Sequence, residues 1–245
     1  MPDVLSAAER AKKAVGEKVA EWVVSGMRLG LGTGSTAAWA IRAIGRRVRM
    51  EGLQVVGVPT SYAAEQLARA EGIPLVTLAD VETLDLAFDG ADEVSPELNL
   101  IKGRGAAHTR EKVVATQAQR FIVLVDASKL VDRLGTRCPV PVEVLPMAAA
   151  PVMRQLRRLG AEPVLRMGSN KDGPVVTDQG FWVIDAHFPG GIDNPQALAV
   201  TLSTMPGVLD HGLFLGLATD VLVGHADGQV RHLRRSEANN KSAAC

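Results

Sequence analysis

Three clusters in this chain carry the residue types that acid–base chemistry needs. The first is Phe88-Asp89-Gly90-Ala91-Asp92-Glu93, which follows a hydrophobic run. In open α/β sheets, ligands bind beyond the carboxyl ends of the strands. Two aspartates placed there can hydrogen-bond hydroxyls and relay protons, or hold a hard cation such as magnesium. They also make sense as a polar turn in which Asp89 or Asp92 bonds its own backbone. The second cluster is Ile101-Lys102-Gly103-Arg104-Gly105-Ala106-Ala107. A glycine loop exposes backbone N–H donors, and an ammonium beside it can offset negative charge that develops on a ligand. The bland alternative is a surface loop with a solvated lysine. The third is His108-Thr109-Arg110-Glu111-Lys112. With Thr109 as a helix cap, Glu111 falls in the first turn, where the helix dipole favours a carboxylate. That accounts for Glu111 structurally. The same dipole keeps the group ionised, which is the form a general base needs. His108 is the reflex choice for acid–base work, yet a single histidine at a helix start is more commonly a cap or a solvated ring.

A fourth cluster, Gly30-Leu31-Gly32-Thr33-Gly34-Ser35-Thr36, lies between a strand pattern and a helix pattern. Such a turn aims backbone N–H groups and the positive end of a helix dipole at one point, where an anion can rest. Ser35 stands where the dinucleotide fingerprint needs its third glycine, and no Walker lysine follows. The turn therefore suits a phosphate or a polyol better than a dinucleotide. A tight βα connection with Ser35 or Thr36 as N-cap explains it equally well.

The elements that must position these clusters alternate. Helix patterns over 6–24, 37–47, 61–71 and 109–120 are interleaved with strand patterns over 27–31, 53–58, 75–78, 84–88 and 121–125. This alternation predicts βαβ units and a parallel sheet covered by helices on both faces, an α/β fold. After Lys129 the texture changes. Strands over 140–145, 163–167, 175–177 and 181–186, with helices over 150–159 and 195–204, predict a smaller α+β unit with antiparallel pairing. The stretch 216–223 has strand character and is expected to rejoin the first sheet. The expected domains are 1–134 with 213–234, then 135–212, then a disordered tail over 235–245.

Bulk properties exclude several classes. The 245 residues carry 27 basic and 27 acidic side chains, so there is no basic excess of the kind nucleic-acid binders show. The densest basic cluster, Arg231, His232, Arg234 and Arg235, reads as a solvated tail. Two cysteines, Cys138 and Cys245, give neither a metal-ligand spacing nor a disulfide framework. The start of the chain has no apolar signal region, and no run approaches the roughly 18 apolar residues of a membrane span. The expectation is a cytoplasmic protein with no nucleic-acid or membrane partner.

The ordered set of these motifs resembles type A ribose-5-phosphate isomerase. Asp126-Ala127-Ser128-Lys129, Pro139-Val140-Pro141-Val142-Glu143-Val144, Lys12-Lys13-Ala14-Val15-Gly16, Val176-Thr177-Asp178 and Met205-Pro206-Gly207-Val208 extend the likeness over about residues 11–228. The resemblance implies a mostly parallel Rossmann-like sheet with a smaller ferredoxin-like domain. It implies an aldose–ketose isomerase that needs no cofactor or metal and interconverts ribose 5-phosphate and ribulose 5-phosphate through a cis-enediolate, in the pentose phosphate pathway or in carbon fixation. Glu111 would be the base, Asp89 would move protons between oxygens, and Lys102 would stabilise the enediolate. Thr33, Gly34, Ser35, Thr36, Lys12 and Lys129 would hold the phosphate end. Asp89, Gly90, Ala91, Asp92, Lys102, Gly103, Arg104 and Gly105 would line the sugar. Many members carry glycine where Arg104 stands and an aliphatic residue where His108 stands, so neither side chain inherits a role. The 168–173 loop is an addition without one. A homodimer or homotetramer is implied. Rivals are a sugar-phosphate deaminase, a CoA transferase, or a sugar-phosphate-sensing regulatory domain. Turnover of ribose 5-phosphate separates them.

Overall fold

Ser6 starts the first helix by accepting from the Glu9 N–H at 3.2 Å, as an N-cap serine does. The computed structural model describes residues 5–235; the expected tail from residue 236 on, including Cys245, lies outside the described residues. In chain order the elements are α1 (Ala7–Glu21), β1 (Arg28–Leu31), α2 (Ser35–Glu51), β2 (Val56–Pro59), α3 (Tyr62–Ala70), β3 (Leu86–Gly90), β4 (Glu93–Val94), β5 (Leu100–Ile101), α4 (His108–Thr116) and β6 (Phe121–Asp126). They continue with β7 (Val140–Val144), α5 (Ala149–Arg158), β8 (Glu162–Leu165), β9 (Trp182–His187), α6 (Pro195–Ser203), β10 (Val208–His211), β11 (Leu213–Phe214), β12 (Asp220–Gly224) and β13 (Val230–Arg234). The chain divides into two compact units. One runs to Gly90 and includes Arg110–Lys129 and the chain from Gly216; the other comprises Ala91–Thr109 and Leu130–Leu215.

In the first unit six strands run in the order β13-β12-β6-β3-β1-β2. All neighbours are parallel except β12 and β13. Alternation along the strands sends Leu29, Leu31, Leu86, Phe88, Ile122 and Leu124 into one core with α1 and α2. Gly30 and Ala87 point to the opposite face, where a Cβ on Gly30 would meet Val114 of α4 at 2.6 Å. Helices therefore cover both faces, the α/β arrangement that the alternating pattern predicts. The 216–223 stretch does rejoin this sheet, as β12 parallel to β6.

Three local expectations are corrected. The 75–78 run is no strand and makes a single bridge, Gly57 to Leu75. The helix expected over 109–120 begins at His108 and stops at Thr116, because the next residues pair with Leu84 instead: Leu84 donates to Gln117 O and Gln119 donates back to Leu84 O. The basic cluster 231–235 is no solvated tail. Residues 230–234 form edge strand β13, and His232 and Arg120 converge on the buried Asp220 at 2.7 and 3.1 Å.

The second unit holds a four-stranded antiparallel sheet in the order β10-β7-β9-β8, with α5 and α6 in a β-α-β-β-α-β sequence, the ferredoxin-like topology. Val140, Val142, Val144, Ile184 and Ala186 pack on α5 and α6. Segment 91–109, expected with the parallel sheet, groups with this unit. Its strands β4 and β5 form a small three-stranded sheet with β11.

Candidate active site

In the first unit the glycine-rich turn and the acidic corner are held together by backbone. β1 and β3 are neighbours, and at their carboxyl ends the Thr33 N–H donates to Asp89 Oδ1 at 3.0 Å. The Gly90 N–H donates to the same oxygen at 2.7 Å. Asp89 is buried and so reaches its orientation through fixed main-chain donors. Gly32 is required for this approach: a Cβ there would lie 2.3 Å from Phe88 O and 2.6 Å from the Asp89 Cα. Gly34, at φ +99°, is the N-cap of α2 and supplies no side-chain bond. Neither Ser35 nor Thr36 is the cap; both lie inside the helix, so the turn presents uncapped N–H groups, as an anion cradle does.

The Thr33 hydroxyl lies 2.7 Å from the hydroxyls of both Thr60 and Ser61, at the end of β2. Thr60 and Ser61 are buried and were not singled out in the sequence. The signal was the run Pro59-Thr60-Ser61 closing a strand. Lys12 sits on α1 one turn before Gly16, whose missing Cβ would meet the Trp39 Cβ at 2.6 Å in the second turn of α2. Its ammonium is 2.8 Å from Glu9 Oε1, and the Trp39 indole N–H donates to the other Glu9 oxygen at 3.1 Å. The Lys12 ammonium, with the indole, holds the Glu9 carboxyl below its ordinary value. Lys129 ends a short 3-10 turn after β6 and is half-buried.

Glu111 lies in the first turn of α4 and is 5% exposed. Val114, three residues on, shares its helix face and packs toward Gly30 and Ala87. Ala87 and Asp89 point to the same side of β3. Glu111 and Asp89 are thus on one face of the sheet, near its carboxyl edge, and Arg110 donates to Pro59 O at 3.3 Å at that edge.

In the second unit, Asp92 and the Lys102 loop are joined. The Asp92 N–H donates to Ile101 O at 2.8 Å, and Asp92 Oδ2 accepts from the Arg104 N–H at 3.1 Å. Lys102 is 3% exposed; its N–H donates to Gly212 O at 2.9 Å and its ammonium lies 5.4 Å from the centre of the Phe214 ring. Gly103, at φ +109°, closes a turn with Ala106, whose N–H donates to Gly103 O at 3.0 Å. Arg104 and Gly105 are exposed. His108 is fully buried, with its ring against Gly103. Thr109, expected as a cap, instead donates its hydroxyl to the buried Glu143. Beside Asp92, Glu93 accepts from the N–H groups of Gly135, Arg137 and Cys138. Among the described residues, no cluster of three or more His, Cys, Asp or Glu could hold a metal ion.

The first unit thus holds a turn of uncapped N–H groups and two buried carboxylates, and the second a buried lysine beside a glycine turn. The chain belongs to the ribose 5-phosphate isomerase A (phosphoriboisomerase A) family, whose model matches residues 56–228. A ribose-5-phosphate isomerase A of Thermosynechococcus vestitus is 56% identical over 225 residues, covering 91% of this chain and 95% of that one. The solved ribose 5-phosphate isomerase A of Methanocaldococcus jannaschii is 47% identical with a TM-score of 0.88, covering 91% of this chain and 98% of that one. A D-ribose-5-phosphate isomerase solved in complex with phospho-erythronic acid is 46% identical with a TM-score of 0.90, covering 93% and 99%. Among the described residues, no helix is long and apolar enough to cross a membrane.

Proposed function

We propose that this chain interconverts D-ribose 5-phosphate and D-ribulose 5-phosphate through a cis-enediolate, with Glu111 as the base. Glu111 takes the C2 proton of the opened aldose and returns it to C1. Asp89 gives a proton to O1 and takes one from O2. Lys102 offsets the charge on those oxygens. The balance closes on proton transfers alone and calls on no nicotinamide, flavin or metal.

The phosphate is held by the main chain of the 33–36 turn, with Lys12 and Lys129 as cationic contacts, and Asp92 with the 103–105 backbone receives sugar hydroxyls. Gripping the non-reacting end helps position the reacting carbons. The ligand named for the solved relative is in keeping with this: a phosphorylated sugar acid shares one negative charge between two oxygens at a planar carbon, as an enediolate places charge on oxygens beside planar carbons. The reading also proposes a cytoplasmic homodimer or homotetramer serving pentose phosphate metabolism, and light scattering gives the assembly directly.

The observation that carries the reading is the burial of two carboxylates, Glu111 at 5% and Asp89 at 2% exposure. The test is a coupled assay with ribose 5-phosphate on the parent and on Glu111→Gln. The variant should bind substrate and lose turnover by about 10²–10⁴-fold, the range of a missing general base. Turnover in heavy water should carry deuterium into the sugar. Near-normal activity of Glu111→Gln moves the base elsewhere.

A further inference from the structure

We propose that Arg166, held by Asp185, is a positioning residue for the reaction, setting the Gly103–Arg104 and Arg104–Gly105 peptide planes next to Lys102. This rests on the isomerase reading above. Arg166 directly follows β8, and its N–H donates to Val183 O on β9 at 2.9 Å. Val164 is registered with Asp185. Arg166 and Asp185 are therefore diagonal neighbours on one side of the sheet, opposite the Val142–Ile184 core.

The guanidinium is used almost completely. Nε donates to Asp185 Oδ2 at 2.8 Å and Nη2 donates to Asp185 Oδ1, a bidentate fork. This fixes the plane and leaves Nη1 aimed at the loop. Nη1 donates to Gly103 O at 2.9 Å and to Arg104 O at 3.0 Å. Both partners are mostly buried, with side chains 16% and 18% exposed.

In a trans peptide the N–H points away from the carbonyl of the same plane. Pinning Gly103 O therefore turns the Arg104 N–H to the far side, where it meets Asp92 Oδ2 at 3.1 Å. Pinning Arg104 O turns the Gly105 N–H the same way. One guanidinium thus orients Asp92 and the backbone donors next to Lys102. Lysine cannot do this, because an ammonium has no planar fork to hold a carboxylate with two donors while reaching two carbonyls with a third nitrogen. The clamp reads only main chain, and the side chain at 104 is left exposed.

The experiment uses the full chain with Arg166→Ala, Arg166→Lys and Asp185→Asn. A misplacement near 1 Å costs on the order of 10²-fold in rate, so kcat of Arg166→Ala should fall by about 30–100-fold. The KM for ribose 5-phosphate should rise by less than kcat falls, since the sugar contacts loosen while the phosphate grip is untouched. Arg166→Lys should resemble Arg166→Ala. Guanidinium ion at millimolar concentration should restore at least about tenfold to Arg166→Ala and nothing to the parent, which a merely structural arginine would not show. Amide hydrogen exchange over 103–107 should accelerate in all three variants while exchange in β7 and β9 stays at the parent rate. The inference is overturned if kcat of Arg166→Ala stays within about threefold of the parent, if guanidinium rescues nothing, or if loop exchange is unchanged. Loop exchange does not depend on turnover. Should the parent fail to isomerise ribose 5-phosphate, the reading of the function falls, while unchanged or accelerated exchange in the variants still decides the clamp.

Discussion

The Thr33 N–H donates to Asp89 Oδ1 at 3.0 Å, joining residues 56 positions apart in the sequence. One belongs to the turn proposed to hold the phosphate, the other to the acidic corner proposed to move protons. Asp89 is buried, and its Oδ1 also accepts from the Gly90 N–H. A side chain proposed to carry protons is thereby tied by one hydrogen bond to the backbone proposed to bind phosphate. Two main-chain donors thus fix the Asp89 carboxylate in one orientation at the end of the turn.

This tie separates orientation from chemistry at position 89. In Asp89→Asn the amide oxygen can still accept from Thr33 and Gly90, so the fold and the melting temperature should stay close to the parent. The amide cannot take up a proton, so turnover should fall by about 10²–10⁴-fold while KM changes little. Steady-state kinetics with ribose 5-phosphate, alongside a thermal melt, checks both halves. Activity within tenfold of the parent would remove Asp89 from the proton path.

The two glycines of the turn should fail differently. A Cβ at Gly32 meets Phe88 O at 2.3 Å, and backbone has no rotamer by which to retreat. Gly32→Ala should force β1 from β3, cost about 1–3 kcal/mol and break the Thr33–Asp89 bond, so stability and kcat fall together. Gly34 has open space for a Cβ but sits at φ +99°. Gly34→Ala should cost about 1–2 kcal/mol of backbone strain and act chiefly on KM, through the cradle. Urea titrations and kinetics on the pair give the contrast; equal KM and kcat effects would contradict it.

The sequence carried the alternation of helices and strands because each βα unit packs locally and its apolar period survives in the chain. It also exposed Asp89, Lys102 and Glu111, since glycines and charges at strand ends stand out against hydrophobic runs. What it hid was set by distant packing. β4, β5 and β11 have two residues each, too few to show a period. The basic run 231–235 looked like tail because β13 is an edge strand whose charges answer Asp220, a residue isolated in the sequence. Thr109 looked like a cap, yet its hydroxyl is drawn to Glu143, 34 residues later. Arg166 and Asp185 were passed over for the same reason: their role exists only through the carbonyls of residues 103 and 104.

Glu93 should prove structural despite sitting beside Asp92. It is fully buried and accepts three N–H groups, from Gly135 at 2.6 Å, Arg137 at 2.6 Å and Cys138 at 2.7 Å. Glu93→Ala leaves three partly buried donors without their acceptor, each costing about 1–3 kcal/mol unless water enters. A loss of at least about 3 kcal/mol is expected by urea denaturation. Glu93→Gln keeps one acceptor oxygen and should lose less. If Glu93→Ala unfolds at the parent midpoint, the anchoring role is wrong.

Acid should loosen the first unit at Asp220. Burial alone would push this carboxyl up, but donation from Thr219, His232 and Arg120 outweighs it and holds the group below its ordinary value. Thr219 and His232 lie 2.7 Å away, Arg120 3.1 Å, and Arg234 3.7 Å. A carboxyl with a depressed folded-state pKa contributes stability that is fully present above its unfolded value of about 3.9 and is lost as pH falls through the folded value. Protonated Asp220 would leave the guanidinium groups of Arg120 and Arg234 without the carboxylate they share. Asp220→Asn removes the titration and the charge together. It should be less stable than the parent at neutral pH, and the gap should narrow only as pH falls below about 4. Denaturation midpoints across that range test this; two curves that stay parallel down to the acid limit would show that Asp220 is not the group whose protonation weakens the sheet edge.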